Sequence, residues 1–509
     1  MTISRAEYEQ MKDEIALLNQ LNTWLQEQLK LIKKKKFEST ADTSSADYEQ
    51  LGLFDEAEVT DLIEEIAEKQ EIAVAAHTRK RKTGSLKAVV PENIPVEVEE
   101  HYLPEEETYC DVCGSKMEII GKEIKQTLKI IPAQVFIHED HYYTYACKQC
   151  DKENGDTVVT KTPREASVLP GSFASPEAVA SVMTQKFVMG VPLYRQEQDF
   201  FRQKILLTRQ TMSNWVLKCS NRWLQPIYDE LHRLLVLEDI IHADETELQV
   251  LHEPGKSPQS TSYMWLYRTG KYAKHPIALY EYQPNRKQEN PVRFLEGFKG
   301  YLQTDGYGGY NLVPDVIHVG CLAHLRRKFT DAEKAAPKGT KCTTAAEAVA
   351  YCNAISALEK AWLDVSPEER TRLRKEKAEP IWNKFEKWSE TRNASSKSKL
   401  GIALTYLRNQ MPKIRNYMLD GRLECTNNLA ERSIKPFVID RKNFLFANTP
   451  AGAKSSAVTF SIIETAKESG LNPFKYLTYI FKTAPTLDRS KPNWVVPLLP
   501  QNAPDECRV

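Results

Sequence analysis

Three acidic residues stand in contexts that suit metal-dependent phosphoryl transfer. Asp244 lies in the string IIHADET, Asp305 follows YLQT and precedes Gly-Tyr-Gly-Gly, and Glu431 lies in the string NNLAERSIKPF. Carboxylates that are far apart in sequence but converge in a fold can hold two divalent ions. Such ions activate a nucleophile and stabilise a leaving oxygen at phosphorus. If the three converge, the chemistry predicted is the cutting and joining of nucleic acid.

Two CxxC pairs form a second candidate site, made by Cys110, Cys113, Cys147 and Cys150. Four thiolates satisfy tetrahedral Zn²⁺, so we expect one structural zinc, with four buried cysteines as the alternative and His101, His138 and His141 as less favoured substitute ligands. The separation of the pairs exceeds the usual spacing. The string KQTLKIIPAQVFIHEDHYYTYA predicts a β-hairpin that would bring them together.

A Cys-x2-His pair, Cys321 and His324, lies in the string CLAHLRRKF. This spacing could supply half of a metal site. The sequence shows no second half, so buried packing near the acidic site is the favoured interpretation.

The acidic residues fall on elements that could bring them together. Residues 237–335 show three strands, a helix and two further strands, which predicts an α/β fold with the first strand central. Asp244 lies in the first strand and Asp305 at the end of the fourth. In a ribonuclease-H-like sheet these two strands are neighbours. Glu431 would complete the site from residues 421–470, beyond a helical insertion at 336–420.

The chain before this core has several predicted parts. Apolar residues repeat every seven positions within residues 1–38, which predicts a coiled coil; Asn22 at an a position favours a parallel homodimer, with a single amphipathic helix as the alternative. Residues 39–100 read as a linker with a helical segment, and residues 101–160 as the zinc-binding β module. Residues 471–509 form a C-terminal segment with a short helix and an extended Pro-rich end.

Residues 170–236 are predicted to be helical, with Ser175 and Thr208 as N-caps. The rhythm of a helix, a short turn and a second helix favours a helix-turn-helix, in which Arg209 and Gln210 would face DNA and Trp215 the core. A plain helical bundle is nearly as consistent with the pattern.

Charge and composition bound the class of protein. Lysines and arginines number 69 and balance 69 aspartates and glutamates, so there is no global basic signal. Basic residues do cluster beside Glu431, among them Arg432, Lys435 and Arg441, as expected of a DNA-facing segment, although a solvated face explains them equally well. Ten cysteines suit a reducing compartment. Neither a membrane-spanning run nor a signal peptide is evident, so we expect a cytoplasmic protein without a membrane partner.

The strings HADET, QTDGYGGY, CLAHLRRKF and NNLAERSIKPFVIDRKNFLF resemble those of DDE transposases of the insertion sequence 66 family. The zipper, the paired CxxC, the PLYRQEQ segment and the terminal NPFKYL and LLP elements resemble that family too, in the same order. The resemblance implies a ribonuclease-H-like core interrupted by a helical insertion, with Asp244, Asp305 and Glu431 as its acidic ligands.

The activity implied by the resemblance is DNA transposition. Hydrolysis of a strand at the element's end would free a 3′ hydroxyl, which would attack target DNA, with two Mg²⁺ or Mn²⁺ ions at the site. DNA ends, target DNA, further copies of the chain and small accessory proteins would be its partners, in the nucleoid of a bacterium. The alternatives are a ribonuclease-H-like nuclease without strand transfer and a zinc-containing DNA-binding regulator.

Overall fold

The computed structural model describes residues 135–146, 159–336 and 342–509. Within these, residues 135–146 and 159–164 belong to one compact unit and Glu165–Val509 to another. The predicted coiled coil, the linker and all four cysteines of the CxxC pairs lie outside the described residues. None of the helices within the described ranges has the length and apolar character needed to cross a membrane.

The first unit contains a short antiparallel strand pair. Strand β1 (Thr144–Ala146) pairs with β2 (Val159–Lys161), so that Tyr145 lies opposite Thr160. The partner of β1 therefore lies beyond the second CxxC pair, whereas the sequence interpretation sought a hairpin within the segment before it. The described part of that segment, residues 135–143, has no regular secondary structure and is exposed. In the sequence, the two paired strands therefore lie on either side of the second CxxC pair.

The second unit begins with four helices: α1 (Pro176–Phe187), α2 (Leu193–Arg202), α3 (Arg209–Cys219) and α4 (Gln225–Leu235). Ser175 caps α1 and Thr208 caps α3, each by accepting a backbone N–H, as predicted. Trp215 is buried, so α3 faces the core in the predicted orientation. The pair α2–α3 has the helix, turn and helix order that the sequence indicated.

A five-stranded mixed sheet forms the centre of this unit, in the order β5-β4-β3-β6-β7. Its strands are β3 (Ile240–Gln249), β4 (Thr261–Thr269), β5 (Ala278–Gln283), β6 (Gly300–Gln303) and β7 (Val316–Val319), and helix α5 (Glu289–Phe294) precedes β6. Strands β3, β4 and β5 are antiparallel neighbours, while β6 and β7 run parallel to β3. The first strand is central and adjoins the fourth, as predicted.

The predicted insertion, residues 336–420, is helical in its described part. Helix α6 (Leu322–Ala335) precedes it, and the insertion comprises α7 (Thr343–Ala361), α8 (Pro367–Leu373), α9 (Glu379–Glu390) and α10 (Lys399–Arg415). Trp382 and Phe385 are buried in a second hydrophobic cluster, which also contains Ile240 of β3 and Val319 of β7. The insertion therefore packs against one side of the sheet and adds no strand to it.

Arg374 ties the insertion to the chain that leads back to the sheet. Its guanidinium is fully buried, pairs with both carboxylate oxygens of Glu359 at 2.6 and 2.9 Å, and donates to the carbonyl oxygens of Tyr417, Asp420 and Leu423. A buried guanidinium needs this many acceptors to offset its desolvation. These hydrogen bonds hold residues 417–423, which precede Glu431 in the chain, against the insertion.

The last helices pack on the sheet: α11 (Asn428–Phe444), α12 (Pro450–Glu468) and α13 (Pro473–Thr483). Arg268 on β4 donates to both carboxylate oxygens of Glu468 at 2.6 Å and also to Ser433 on α11, which joins these helices to the sheet. The short helix predicted in the C-terminal segment is α13, but the Pro-rich end, predicted to be extended, forms short 3₁₀ turns in which Leu498 is buried. Its apolar residues make burial more favourable than an extended course.

Candidate active site

Asp244 and Asp305 lie at equivalent positions of two paired strands. The last paired residues of the parallel strands β3 and β6 are His242 and Gln303. Asp244 follows the first by two positions and Asp305 follows the second by two. Asp305 stands beyond the end of β6, where its carboxylate accepts a hydrogen bond from the N–H of Tyr307 at 2.8 Å. The adjacency of β3 and β6 therefore brings the two carboxylates to one place.

Asp244 is buried among other acidic groups. Burial raises its pKa well above the ordinary value, and the negative charges of Glu245, Asp305 and Glu431 raise it further. Its Oδ1 accepts a hydrogen bond from the N–H of Glu245 at 2.8 Å. Its Oδ2 is buried with no hydrogen-bond partner among the described residues. An unpaired oxygen amid like charges is unfavourable in the bare chain and would be stabilised by a cation.

Glu431 joins this group from the first turn of α11. It is buried, and its N–H donates to the carbonyl oxygen of Asn427 at the start of the helix. Asn427 in turn donates from its side chain to the carbonyl oxygen of Ala243 at 2.9 Å and accepts from Nδ1 of His242 at 3.1 Å. Asn427 therefore aligns the helix that carries Glu431 with the strand that carries Asp244.

Sequence reasoning did not single out His242 and Asn427. Both lie in strings that were quoted for their acidic residues, HADET and NNLAERSIKPF. Their pairing joins residues 185 positions apart. No periodicity within either segment could have revealed it.

Glu245 is a fourth carboxylate that the sequence analysis also missed. Its side chain is buried, forms an ion pair with Arg286 and accepts a hydrogen bond from the hydroxyl of Tyr310. Burial raises its pKa to about 7, and the charge of Asp305 adds to that rise while Arg286 opposes it. The guanidinium of Arg286 also lies 3.7 Å from the ring centroid of Tyr307, in the loop after Asp305. Glu245 and Arg286 thus brace the loop that carries Asp305.

The pair Cys321 and His324 has a third neighbour that the sequence did not reveal. Sγ of Cys321, a ring nitrogen of His324 and a carboxylate oxygen of Glu431 all lie within 4.8 Å of one another. The sequence interpretation found no second half for a metal site and favoured packing. The structure supplies a third potential ligand from α11, on the far side of the insertion.

The basic and polar residues predicted to contact DNA fall in two places. On α3, Arg209 and Gln210 are exposed; the guanidinium of Arg209 lies 4.0 Å from a carboxylate oxygen of Glu197, and Gln210 donates to Asn214. On α11, Arg432 is exposed, Lys435 is half-buried, and Arg441 donates to the carbonyl oxygen of Glu247. Arg432 is therefore the most open of the α11 group, while Arg441 contacts the strand that carries Asp244.

The donor set around Asp244 fits hard divalent cations. Carboxylate oxygens are the ligands that Mg²⁺ and Mn²⁺ prefer, and Asp244, Asp305 and Glu431 come from three separate elements. The unpartnered Oδ2 of Asp244 is available for coordination. A group of this kind can position divalent ions beside a phosphodiester.

Two family models match the chain. The model described as "Transposase IS66 family" matches residues 171–455, which include the helix pair, the sheet, the insertion and α11. The model described as "zinc-finger binding domain of transposase IS66" matches residues 107–151, which include both CxxC pairs.

Three curated proteins of Sinorhizobium fredii (strain NBRC 101917 / NGR234) are similar to the chain. "Uncharacterized protein y4jD" is 30% identical over 390 residues, which are 73% of this chain and 74% of the relative. "Uncharacterized protein y4hP" is 27% identical over 84% of this chain and 80% of its own length. "Uncharacterized protein y4qI" is 28% identical, over 77% and 72% respectively.

Proposed function

The chain belongs to the transposase IS66 family, and from this membership we propose that it cuts DNA at the ends of an insertion sequence and joins them to target DNA. The observation that carries the proposal is the placement of Asp244 and Asp305 after paired positions of two adjacent strands, with Glu431 near enough for its charge to raise the pKa of Asp244. Together they form a site of the kind that metal-dependent phosphoryl transfer requires.

The sheet supports a ribonuclease-H-like core. Three antiparallel strands are followed by two that run parallel to the first, with the first strand central. The helix α11 then returns to the first strand after the insertion. We infer that residues 237–335 and 421–470 form the two parts of this core and that residues 336–420 are the insertion between them.

Asp244, Asp305 and Glu431 are assigned as the metal ligands of this core. Two Mg²⁺ ions, which Mn²⁺ could replace, would supply activation of a nucleophilic oxygen and stabilisation of the leaving oxygen. The protein's own part is to hold the three carboxylates in place. Asn427 fixes α11 against β3, and the ion pair of Glu245 with Arg286 braces the loop after Asp305.

The proposed reaction has two steps at one site. Water first attacks phosphorus at the element's end, the bond to the 3′ oxygen breaks, and a 3′ hydroxyl and a 5′ phosphate result. That hydroxyl then attacks a phosphodiester of the target in line, and the displaced 3′ oxygen leaves. Both steps exchange one phosphorus–oxygen bond for another, so no covalent bond between protein and DNA is needed.

The remaining parts of the chain are assigned to DNA binding and assembly. Arg209 and Gln210 on α3 are proposed to contact the element's ends, and Arg432, Lys435 and Arg441 the DNA beside the active site. A structural Zn²⁺ held by Cys110, Cys113, Cys147 and Cys150 fits the match to the zinc-finger domain. A homodimer or larger assembly through residues 1–38, small accessory proteins and association with the bacterial nucleoid complete the proposal.

Strand transfer with labelled element-end oligonucleotides and Mg²⁺ tests the proposal. We expect Asp244→Ala, Asp305→Ala and Glu431→Ala each to abolish cleavage and joining while binding to the ends survives. Glu247→Ala is the matched control, because Glu247 is an exposed carboxylate three positions beyond Asp244 on the same strand.

The outcomes separate the candidate functions. Cleavage without joining would indicate a nuclease, and end binding with no cleavage in the wild type would indicate a DNA-binding regulator. Full activity of any one variant would remove that residue from the site. Family membership does not favour either alternative.

A further inference from the structure

We propose that Cys321, His324 and Glu431 form a second metal site, selective for Zn²⁺ over Mg²⁺. Their ligand atoms lie within 4.8 Å of one another, and they are the one such group within the described residues. The site shares Glu431 with the proposed catalytic centre. The three residues offer a sulfur, a nitrogen and an oxygen ligand.

The geometry is close to what zinc requires. Zinc lies about 2.0–2.3 Å from such ligands, so in a tetrahedral site the ligand atoms stand about 3.5 Å apart. Nδ1 of His324 lies 3.6 Å from Oε1 of Glu431. The side chains of His324 and Glu431 are only 15% and 6% exposed. A small inward movement of the Cys321 thiol would complete a three-residue site with a fourth position open.

An unsatisfied nitrogen independently indicates a ligand. Nδ1 of His324 is buried and has no hydrogen-bond partner among the described residues. A buried imidazole nitrogen that faces a carboxylate at 3.6 Å without a hydrogen bond is costly in the bare chain, and coordination would offset that cost. The charge of Asp305 favours a cation beside His324, whereas Arg327 and Lys328 nearby oppose it.

Burial and the negative charge of Glu431 raise the pKa of the Cys321 thiol well above its ordinary value, so a metal ion would have to displace its proton on binding. Cys321 occupies the cap position before α6, so that His324 follows in the first turn of that helix. Its Sγ accepts a hydrogen bond from the N–H of Asn427 at 3.1 Å, the residue that also anchors Glu431. An N–H donor to sulfur is the kind of outer contact that orients a metal-bound thiolate. Sulfur and imidazole ligands favour Zn²⁺, whereas Mg²⁺ prefers oxygen alone.

The consequence for activity rests on the proposed function. Glu431 cannot serve a zinc ion and the proposed magnesium site with the same oxygens. Zinc at Cys321 and His324 would draw Glu431 toward α6 and away from Asp244. Zinc would therefore inhibit cleavage that depends on Mg²⁺.

Zinc binding by the full-length chain tests the site without any DNA. The chain is stripped of weakly bound metal and dialysed against buffered free Zn²⁺, and bound zinc is measured by atomic emission. Cys321→Ser and His324→Gln should each hold one zinc per chain fewer than the wild type. Cys352→Ser, which removes another buried thiol, should hold as much as the wild type. Equal zinc content in the wild type and both site variants would overturn the proposal; two variants guard against one failing to fold.

Cleavage of element-end DNA with Mg²⁺ at increasing free Zn²⁺ then tests the inhibition. The wild type should lose activity over the range of free Zn²⁺ in which Cys321, His324 and Glu431 bind zinc, whereas Cys321→Ser should keep, over that range, the rate that it shows without zinc. Equal inhibition of both, or stimulation by zinc, would overturn the inhibitory role. Absence of cleavage at every zinc concentration would count against the proposed function and leave the measured zinc content valid.

Discussion

The side-chain amide of Asn427 donates a 2.9 Å hydrogen bond to the carbonyl oxygen of Ala243, the residue before Asp244. The same side chain accepts from His242, and its backbone carbonyl accepts from the N–H of Glu431. One amide therefore sets the distance between two of the three proposed metal ligands. We expect Asn427→Ala to abolish strand cleavage and to lower the free energy of unfolding by about 1–3 kcal/mol, because buried partners lose their hydrogen bonds.

Cleavage assays and thermal unfolding measure the two effects of Asn427→Ala. Asn448→Ala is the control, since Asn448 is exposed. Wild-type cleavage by the Asn427 variant would show that the amide does not position Glu431.

Asp244→Asn should stabilise the metal-free protein against unfolding and should remove the further stabilisation that Mg²⁺ gives the wild type. The wild-type carboxylate is buried beside other negative charges, which is unfavourable without a cation. A ligand at one hundred times its Kd stabilises the folded state by about 2.7 kcal/mol. Thermal unfolding is measured with EDTA and with Mg²⁺. Adding Mg²⁺ should raise the melting temperature of the wild type and of Glu247→Gln, but not that of Asp244→Asn. A rise of the same size in all three would argue against Asp244 as a metal ligand.

Arg374→Ala should destabilise the insertion by about 3–5 kcal/mol, since it leaves Glu359 and three carbonyl oxygens without their buried partner. Arg372→Ala is a close control. Arg372 lies two positions away, its side chain is 62% exposed, and its ion pairs are on the surface, so its loss should have no measurable effect. Circular dichroism during heating measures both variants. Equal melting curves would show that the buried ion pair does not hold the insertion together.

Arg209→Ala and Gln210→Ala should weaken binding to the element's ends by about 1–3 kcal/mol each if these residues contact bases. Both side chains are exposed on α3, the second helix of the proposed helix-turn-helix. Gel-shift titrations with end DNA and unrelated DNA, at two salt concentrations, measure the loss. Arg202→Ala on the preceding helix should leave specific binding unchanged. An equal loss on both DNAs would assign Arg209 to phosphate contact.

The double variant Cys110→Ser, Cys147→Ser should lose about one zinc per chain, because each substitution removes a thiolate from one CxxC pair. Metal analysis of the purified chain measures this loss. The control is Cys219→Ser, which changes a buried cysteine on α3. Unchanged zinc content in the double variant would contradict the zinc assignment.

Much of the catalytic unit could be predicted because its signals are local. The strands, the caps at Ser175 and Thr208 and the burial of Trp215 follow from residue patterns within single elements. The order of the elements predicts a central β3, and the pairing of β3 with β6 is expected from the arrangement of a ribonuclease-H-like sheet. These features need no knowledge of distant contacts.

The contacts that complete the site could not be predicted because they join separate segments. Glu431 contacts Cys321 and His324, and Asn427 contacts His242, from opposite sides of the insertion. Glu245 contacts Arg286 across 41 positions of the sheet region. Neither helical nor strand periodicity carries information about such pairs. The sequence analysis therefore found Cys321 and His324 but not their third neighbour.

The insertion also delays assembly of the proposed catalytic site while the chain is being synthesised, because it separates Asp244 from Glu431 in the sequence. Ala243 and Asn427 are 184 positions apart and are joined by a direct hydrogen bond. At ~5–20 residues per second, a ribosome needs roughly 10–40 s to make the intervening chain. Throughout that interval the nascent protein already carries Asp244 and the helices proposed to bind DNA but lacks Glu431. On the proposed function, an unfinished chain would be able to bind DNA before it is able to cut it.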